Sequence, residues 1–391
     1  MDKLELHSAG TSLSLVSIVT FLGFLDTHLL VPVLAIYAAG LGASTSIIGL
    51  IVGVYSLTNT AANIVSGWLI DRVGYRFPLL LGLAGDALSM FLYALCRLPW
   101  HLALVRAFHG LSGGAVGPAT MSAASHYSGR SDKARTMSFY GVSLALASLI
   151  GYPVSGVIVS RLGYQALFLT GAGLLVIGVL LGLMLPAKAN NGSKAVKTGY
   201  QWQSGRVKEL FKKRGLVIAY CSIFAQYFSF GGLVTLLPLY MQGLGMGVFQ
   251  VGMLLAIFSI TFIMVQFPGG VMSDRVGRLP PVILGLSMAI LSLLALPFLE
   301  VFALLAVGMG LYGVAYGFIF PSISAMVADD TEREERGLAT GMFHALLTAG
   351  VAAGAPLLGW VGGAVGIEYG LLSIAGIMVL ALAVILAIRR R

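Results

Sequence analysis

The chain has 391 residues, of which 58% are hydrophobic and only 10% charged, and its mean hydropathy is +0.93. A soluble domain carries about 25% charged residues, so this composition excludes a soluble enzyme and demands a protein embedded in lipid. The net charge of +9 does not point to nucleic acid: the basic residues gather in alternate loops, as they do on the cytoplasmic side of membrane proteins.

The length suits twelve spans of about 20 residues joined by short loops. The first, 13–39, is interrupted by Asp26 and His28 and holds Pro32, which bends it. The second, 44–70, runs into a polar turn with Gly67, Asp71, Arg72, Gly74 and Arg76. The third, 77–95, contains Asp86, and the fourth, 100–127, carries Arg106 and His109 among glycines. The fifth, 134–160, holds Gly151, Pro153 and Gly156, and the sixth covers 164–185. Residues 186–214 are rich in Lys, Gly, Asn and Ser and end in Lys212-Lys213-Arg214. They read as a cytoplasmic linker with an amphipathic piece at the inner leaflet. It separates an N-terminal half, 1–185, from a C-terminal half, 215–391, with spans near 215–241, 247–272, 279–298, 301–328, 337–363 and 367–388.

The second half repeats the first. The turn recurs as Gly270, Asp274, Arg275, Gly277 and Arg278, and Asp71 and Asp274 lie 203 residues apart. The same interval carries Tyr37 to Tyr240, Gly49 to Gly252, Gly110 to Gly313 and Pro118 to Pro321 without a gap. It also carries Gly151, Pro153 and Gly156 to Gly354, Pro356 and Gly359, where Pro bends each helix and glycines permit tight packing. Such internal duplication in an apolar chain is the signature of many transporters.

With the amino terminus in the cytoplasm, all of the 24 Lys and Arg residues except Arg97, Arg106 and Arg161 fall in or beside cytoplasmic segments. Both termini are therefore expected in the cytoplasm, and the protein in the cell (inner) membrane. Cys96 and Cys221 sit at unrelated positions and imply neither a disulfide nor a metal motif. The first apolar run is too long for the core of a cleavable signal. The sequon Asn191-Gly192-Ser193 falls in the linker and reads as a chance match.

The doubled turn, Gly-x-x-x-Asp-Arg-x-Gly followed by Arg, resembles motif A of the major facilitator superfamily, with Tyr75 and Leu279 standing where the family has basic residues. Arg106-Ala107-Phe108-His109-Gly110 resembles the Arg-x-x-Gln-Gly motif B of its proton-driven antiporters, with His109 in place of Gln. The Gly-x-Pro-x-x-Gly stretches resemble motif C of the same antiporters, with Tyr152 and Ala355 inserted between Gly and Pro. The resemblance implies an all-α integral membrane fold of twelve transmembrane helices, in two pseudo-symmetric six-helix halves of inverted three-helix repeats. Spans one, four, seven and ten would line a central cavity, and the motif A turns would brace its cytoplasmic side when closed.

Ionisable groups inside a span are costly and mark pathways or relays. A helix rises about 1.5 Å per residue, which puts Arg106 about 9 Å below the outer end of its span and Asp26 at about 10 Å, a similar depth. Asp26, Arg106 and Asp86 are the candidate proton-coupling residues, Asp26 with Arg106 as its partner; a fixed ion pair joining spans one and four is the plainer reading. For Asp86 a structural bond to span two or four fits as well as coupling. His28 lies about 200° round the helix from Asp26, so the two do not form a metal pair. His109 and His344 are isolated in their spans; hydrogen-bonded packing fits either alone, and a place facing the cavity fits both. The second half has almost no intramembrane charge. Tyr312, Tyr316 and Phe320 share one helix face, as do Gln226 and Phe230. With Asp26, His109 and His344, the residues Gln226, Phe230, Tyr312 and Tyr316 make up the candidate substrate cavity.

A charged first half and an aromatic second half are similar to the drug–proton antiporters of the superfamily. The resemblance implies proton-coupled efflux of a small amphipathic organic compound, driven by the proton gradient without cofactor or metal. The implied partners are that substrate, protons and the lipid bilayer, with the protein acting as a monomer. Two other readings are transport of one metabolite, lipid-like molecule or siderophore, and a membrane sensor or scaffold that moves nothing. No Gly-Lys-Ser/Thr follows the glycines of 110–117, so no phosphate loop is present, and no nucleophile–base constellation supports an enzyme.

Overall fold

A computed structural model describes residues 3–127, 133–185, 208–332 and 335–390, and they fold almost entirely as helices. The N-terminal half comprises α1 (Lys3–Gly40), α2 (Thr45–Val73), α3 (Arg76–Tyr93), α4 (Pro99–Tyr127) and the rod Lys133–Met184, which Gly163 divides into α5 (133–162) and α6 (164–184). The C-terminal half comprises α7 (Arg214–Gly243), α8 (Val248–Val276), α9 (Leu279–Ala295), α10 (Phe302–Asp329), α11 (Arg336–Val365) and α12 (Ile367–Arg390). A chain crossing lipid must satisfy its backbone within each segment, and helices do so. Helix borders follow the expected spans closely, except that α1 begins at Lys3 while its apolar span begins at Leu13. Nine helices among the described residues, with the Met137–Met184 rod counted once, are long and apolar enough to cross a membrane. α3 and α4 are not among them, and they are the helices that carry Asp86, Arg106 and His109. The sequon at Asn191 and linker residues 186–207 lie outside the described residues.

The duplication seen in the sequence is a duplication of contacts. Tyr37 at the end of α1 donates its hydroxyl hydrogen bond to the carbonyls of Tyr93, the last residue of α3, and Cys96 just beyond it, both at 3.1 Å. Tyr240 at the end of α7 donates to those of Pro297, at 2.9 Å, and Leu299, at 3.4 Å. Gly110 of α4 presses on Tyr55 and Thr58 of α2, and Gly313 of α10 presses on Phe258 and Thr261 of α8, each contact 203 residues from its counterpart.

The two halves meet at the end of the bundle away from the motif A turns. A side chain's first carbon on Gly49 of α2 would stand 2.3 Å from the Ala355 carbonyl of α11, and on Gly252 of α8 it would stand 2.4 Å from the Tyr152 carbonyl of α5. Gly156 presses on Phe249 and Gly359 on Gly49, so the same two crossings are closed from both sides. The Gly-x-Pro-x-x-Gly stretches thus divide their work. The first glycine packs inside its own half, Gly151 on His28 and Gly354 on Phe228, and the last faces the other half. Pro356 meets Gly53 and Pro153 meets Gly252. At the motif end the halves stand apart: Gly67 of α2, Gly141 of α5 and Gly341 of α11 face open space, and Phe267 of α8 is 80% exposed. Gly67 therefore makes no close approach to another helix in this arrangement.

The turns themselves reverse the chain on Gly74 and Gly277, at φ +82° and +90°. In the second turn Arg278 binds Asp274 and, at 2.7 Å, the Asp329 carboxylate at the end of α10. In the first, Arg76 donates to the Leu183 carbonyl at 2.5 Å and the Arg72 guanidinium lies 3.9 Å from the Trp68 ring centre. Gly270 and Arg275 occupy the places corresponding to Gly67 and Arg72. Beside them Lys213 donates to Glu335 at 2.5 Å, joining the starts of α7 and α11, and that carboxylate holds the Lys213 ammonium above its ordinary pKa.

Gly163 has φ +84° and ψ 173°, a region essentially reserved for glycine, and its missing side chain faces open space. Gly163→Ala is expected to cost about 1–3 kcal/mol through backbone strain alone, read as a lower Tm of the detergent-purified protein. An unchanged Tm would contradict this account of the α5–α6 corner.

Candidate functional site

Side chains from α1, α2, α3 and α4 meet inside the N-terminal half. Asp26, Asp86, Arg106 and His109 are 2%, 1%, 4% and 0% exposed. His109 Nε2 lies 2.8 Å from Asp26 Oδ2 and 3.7 Å from Asp86 Oδ1. The ring's other nitrogen, Nδ1, lies 3.1 Å from the Tyr93 hydroxyl. In the neutral ring Nε2–H donates to Asp26 and Nδ1 accepts from Tyr93; in the protonated ring Nδ1–H donates to the same hydroxyl. The geometry serves both protonation states without movement. Asp26 Oδ1 also accepts from the Thr27 amide at 2.6 Å, and Asp86 Oδ1 from the Ser112 hydroxyl at 2.5 Å. With both carboxyls ionised and His109 neutral, the two carboxylates and one guanidinium would leave a single negative charge. One proton balances it.

Asp26 is paired with His109, whereas the sequence pointed to Arg106. The depth argument gives height along the bundle and not direction around a helix. Arg106 and His109 are three residues apart on α4, and the longer side chain reaches α2, where its guanidinium carbon lies 4.2 Å over the Tyr55 ring. Arg106 Nε and Nη1 have no hydrogen-bond partner among the described residues. Asp86, for which two roles stood open, reaches the cluster through Ser112 and His109 on α4. His28 is held apart from it: its Nδ1 lies 2.7 Å from the Phe24 carbonyl, and its ring packs on Tyr152. The ligand atoms of Asp26, Asp86 and His109 lie within 4.8 Å of one another, which also suits a metal ion. The Arg106 charge works against a divalent one, since it would leave the cluster with excess positive charge.

The corresponding place in the C-terminal half is aromatic. Positions 203 residues beyond Asp26, Asp86, Arg106 and His109 hold Ser229, Ala289, Met309 and Tyr312. Tyr316 packs 4.9 Å from Tyr312, 5.2 Å from Phe258 and 6.0 Å from Phe262, centre to centre, and Phe230 stacks on Phe258 at 5.7 Å. The Tyr316 hydroxyl donates to the Gln226 carbonyl. The buried Gln226 side-chain amide and Ser229 hydroxyl have no partner among the described residues. Gln226, Tyr312 and Tyr316 are buried, Phe230 is half-buried and His344 is exposed on α11, with its ring against Phe343. His344 is not brought to either cluster. Sequence reasoning missed Tyr55, Tyr93 and Ser112; the one available signal was that each is a polar side chain in an apolar span.

The chain matches a sequence profile described as Major Facilitator Superfamily over residues 16–252 and 219–391. It is 27% identical over 349 residues to the inner membrane transport protein YajR of Escherichia coli (strain K12), covering 88% of this chain and 75% of that protein. It is 25% identical over 181 residues to the quinolone resistance protein NorA of Staphylococcus aureus (strain MRSA252), covering 46% of each. Its fold superposes on a bacterial homologue of the human lysosomal transporter Spinster, in an inward-facing and unoccupied conformation, with TM-score 0.83 and 13% identity, over 100% of this chain and 98% of that one. With its twelve helices, its doubled contacts and a profile match reaching almost end to end, the chain belongs to the major facilitator superfamily of membrane transporters.

Proposed function

We propose that the protein is a secondary active transporter that exports a small amphipathic organic compound in exchange for protons. The observation that carries this reading is the buried Asp26–His109–Asp86 cluster beside Arg106, whose carboxyl groups and imidazole lie close enough to share one proton without moving. The aromatic cluster around Tyr316, with the unpartnered Gln226 amide and Ser229 hydroxyl beside it, suits an apolar ring-bearing compound with a polar group. The likeness to NorA supports a drug-like substrate. Contact at one end of the halves and separation at the other fits alternating access, and the predicted topology makes this the inward-open state. No resident cofactor is needed, because the proton gradient drives the exchange.

The test is purified protein in proteoliposomes holding a pH-sensitive dye, challenged in turn with ethidium, tetraphenylphosphonium, a quinolone, a nucleoside and a ferric chelate. Proton movement opposite to the compound is expected for the amphipathic members. Movement with the nucleoside or chelate alone would replace the multidrug reading by a dedicated one, and none with any of them would overturn proton exchange.

A further inference from the structure

Tyr55, Asn59 and Asn63 follow at intervals of four on α2, and Asn63 Nδ2 donates to Asn59 Oδ1 at 2.8 Å. They lead from the buried cluster toward the motif end, where Gly67, one turn on, faces open space. Beside them α4 has no side chain at Gly113. The point where that residue's first side-chain carbon would stand lies 3.0 Å from the Tyr55 hydroxyl, 3.5 Å from Asp86 Oδ1 and 3.6 Å from Asn59 Nδ2. Three polar groups from α2 and α3 therefore converge on one small space. The other carboxylate oxygen of Asp86 is buried and has no partner among the described residues.

The other half shows what the same scaffold does with that space. The residue 203 positions beyond Gly113 is Tyr316, and its ring packs on Phe258 and Phe262, the counterparts of Tyr55 and Asn59. One half fills the position with an aromatic ring; the other surrounds it with hydrogen-bonding groups. Buried waters typically make about three hydrogen bonds to such groups, and this site provides that number.

We propose that Gly113 seats an ordered water through which Asp86 exchanges protons with the motif end, along the Asn59–Asn63 side of α2 and apart from the substrate cavity. This rests on reading Asp26–His109–Asp86 as the proton site. In the loading direction the seated water gives a proton to the Asp86 carboxylate, forming its O–H bond, and takes one from the next water toward the motif end. The two amides orient this file of water and do not themselves ionise. The lone Gly113 position controls the throat, since one methyl group would occupy the water's place.

The test is the rate of hydrogen–deuterium exchange at the Asp86 carboxyl, followed by infrared difference spectroscopy at acidic pH in lipid, with its band assigned by loss in Asp86→Asn. Gly113→Ala is expected to slow that exchange by about tenfold or more, since its methyl displaces the bridging water. Gly113→Ser, although larger, restores a hydroxyl there and is expected to exchange faster than Gly113→Ala. Asn59→Leu is expected to slow exchange without touching Asp86 itself. Wild-type speed in Gly113→Ala would overturn the proposal, as would a serine variant slower than the alanine variant, which is the order packing alone would give. If this pattern holds while the wild type moves no proton against any test compound, the transport reading fails and the water seat stands.

Discussion

Asp26→Asn is expected to reduce proton-driven transport to background, roughly a hundredfold or more, the scale on which losing a positioned proton-transfer group acts. The substitution keeps the shape of the side chain and its hydrogen bond to His109, which stands 2.8 Å away. Substrate binding and substrate–substrate exchange across the vesicle membrane should therefore persist. The measurement is uphill transport against exchange in the same proteoliposomes; uphill transport at wild-type rate would remove Asp26 from the coupling mechanism. His109→Ala provides the contrast. It leaves two carboxylates sharing a buried pocket with only Arg106, and removing one partner of a buried charge pair costs about 3–5 kcal/mol. That variant should lose thermal stability as well as coupling, whereas Asp26→Asn should lose coupling alone.

The second large effect is expected at the crossing of α5 and α8. Gly252→Leu places a side chain where the Tyr152 carbonyl would be 2.4 Å from its first carbon. Backbone cannot retreat as the tip of a side chain does, so the helices must separate or the variant must refold around the clash. Overpacking of this kind costs about 1–3 kcal/mol, here charged to one conformation only. Spin labels on the loops 41–44 and 244–247 should report a longer, broader distance between halves, and transport should fall. Gly252→Ala gives a milder form of the same displacement and guards against a simple failure to fold. Unchanged distances and unchanged transport in both variants would show that the crossing does not hold the halves together. The pseudo-symmetric Gly49, against Ala355, should behave alike.

Much of this architecture was legible in the sequence because lipid imposes it. Apolar length sets each span, and the 203-residue repeat of Gly, Pro and Tyr marks corresponding positions in the two halves. Tyr37 and Tyr240 anchoring corresponding helix ends is the structural form of that repeat. The partner of Asp26 was not legible. Depth singled out Arg106 and left out His109, one turn away on α4, because only the direction of each around the helix, with the reach of its side chain, decides between them. The same gap hid the link from Asp86 to His109, since nothing in one chain's spacing says how far α3 is turned toward α4. The division of labour within Gly-x-Pro-x-x-Gly was likewise hidden, because Gly151 and Gly156 differ only in which neighbour they touch.

The crossings that join the halves away from the motif turns bring bare backbone together at Gly49, Gly156, Gly252 and Gly359, where the atoms nearest each glycine are backbone atoms. Such a joint has no electrostatic memory. Salt and acid find no ionised group there to act on, so the joint serves as a passive fulcrum, and on the proposed proton-exchange reading the energy that tips the molecule enters deeper in the N-terminal bundle and reaches the joint as a change in helix tilt.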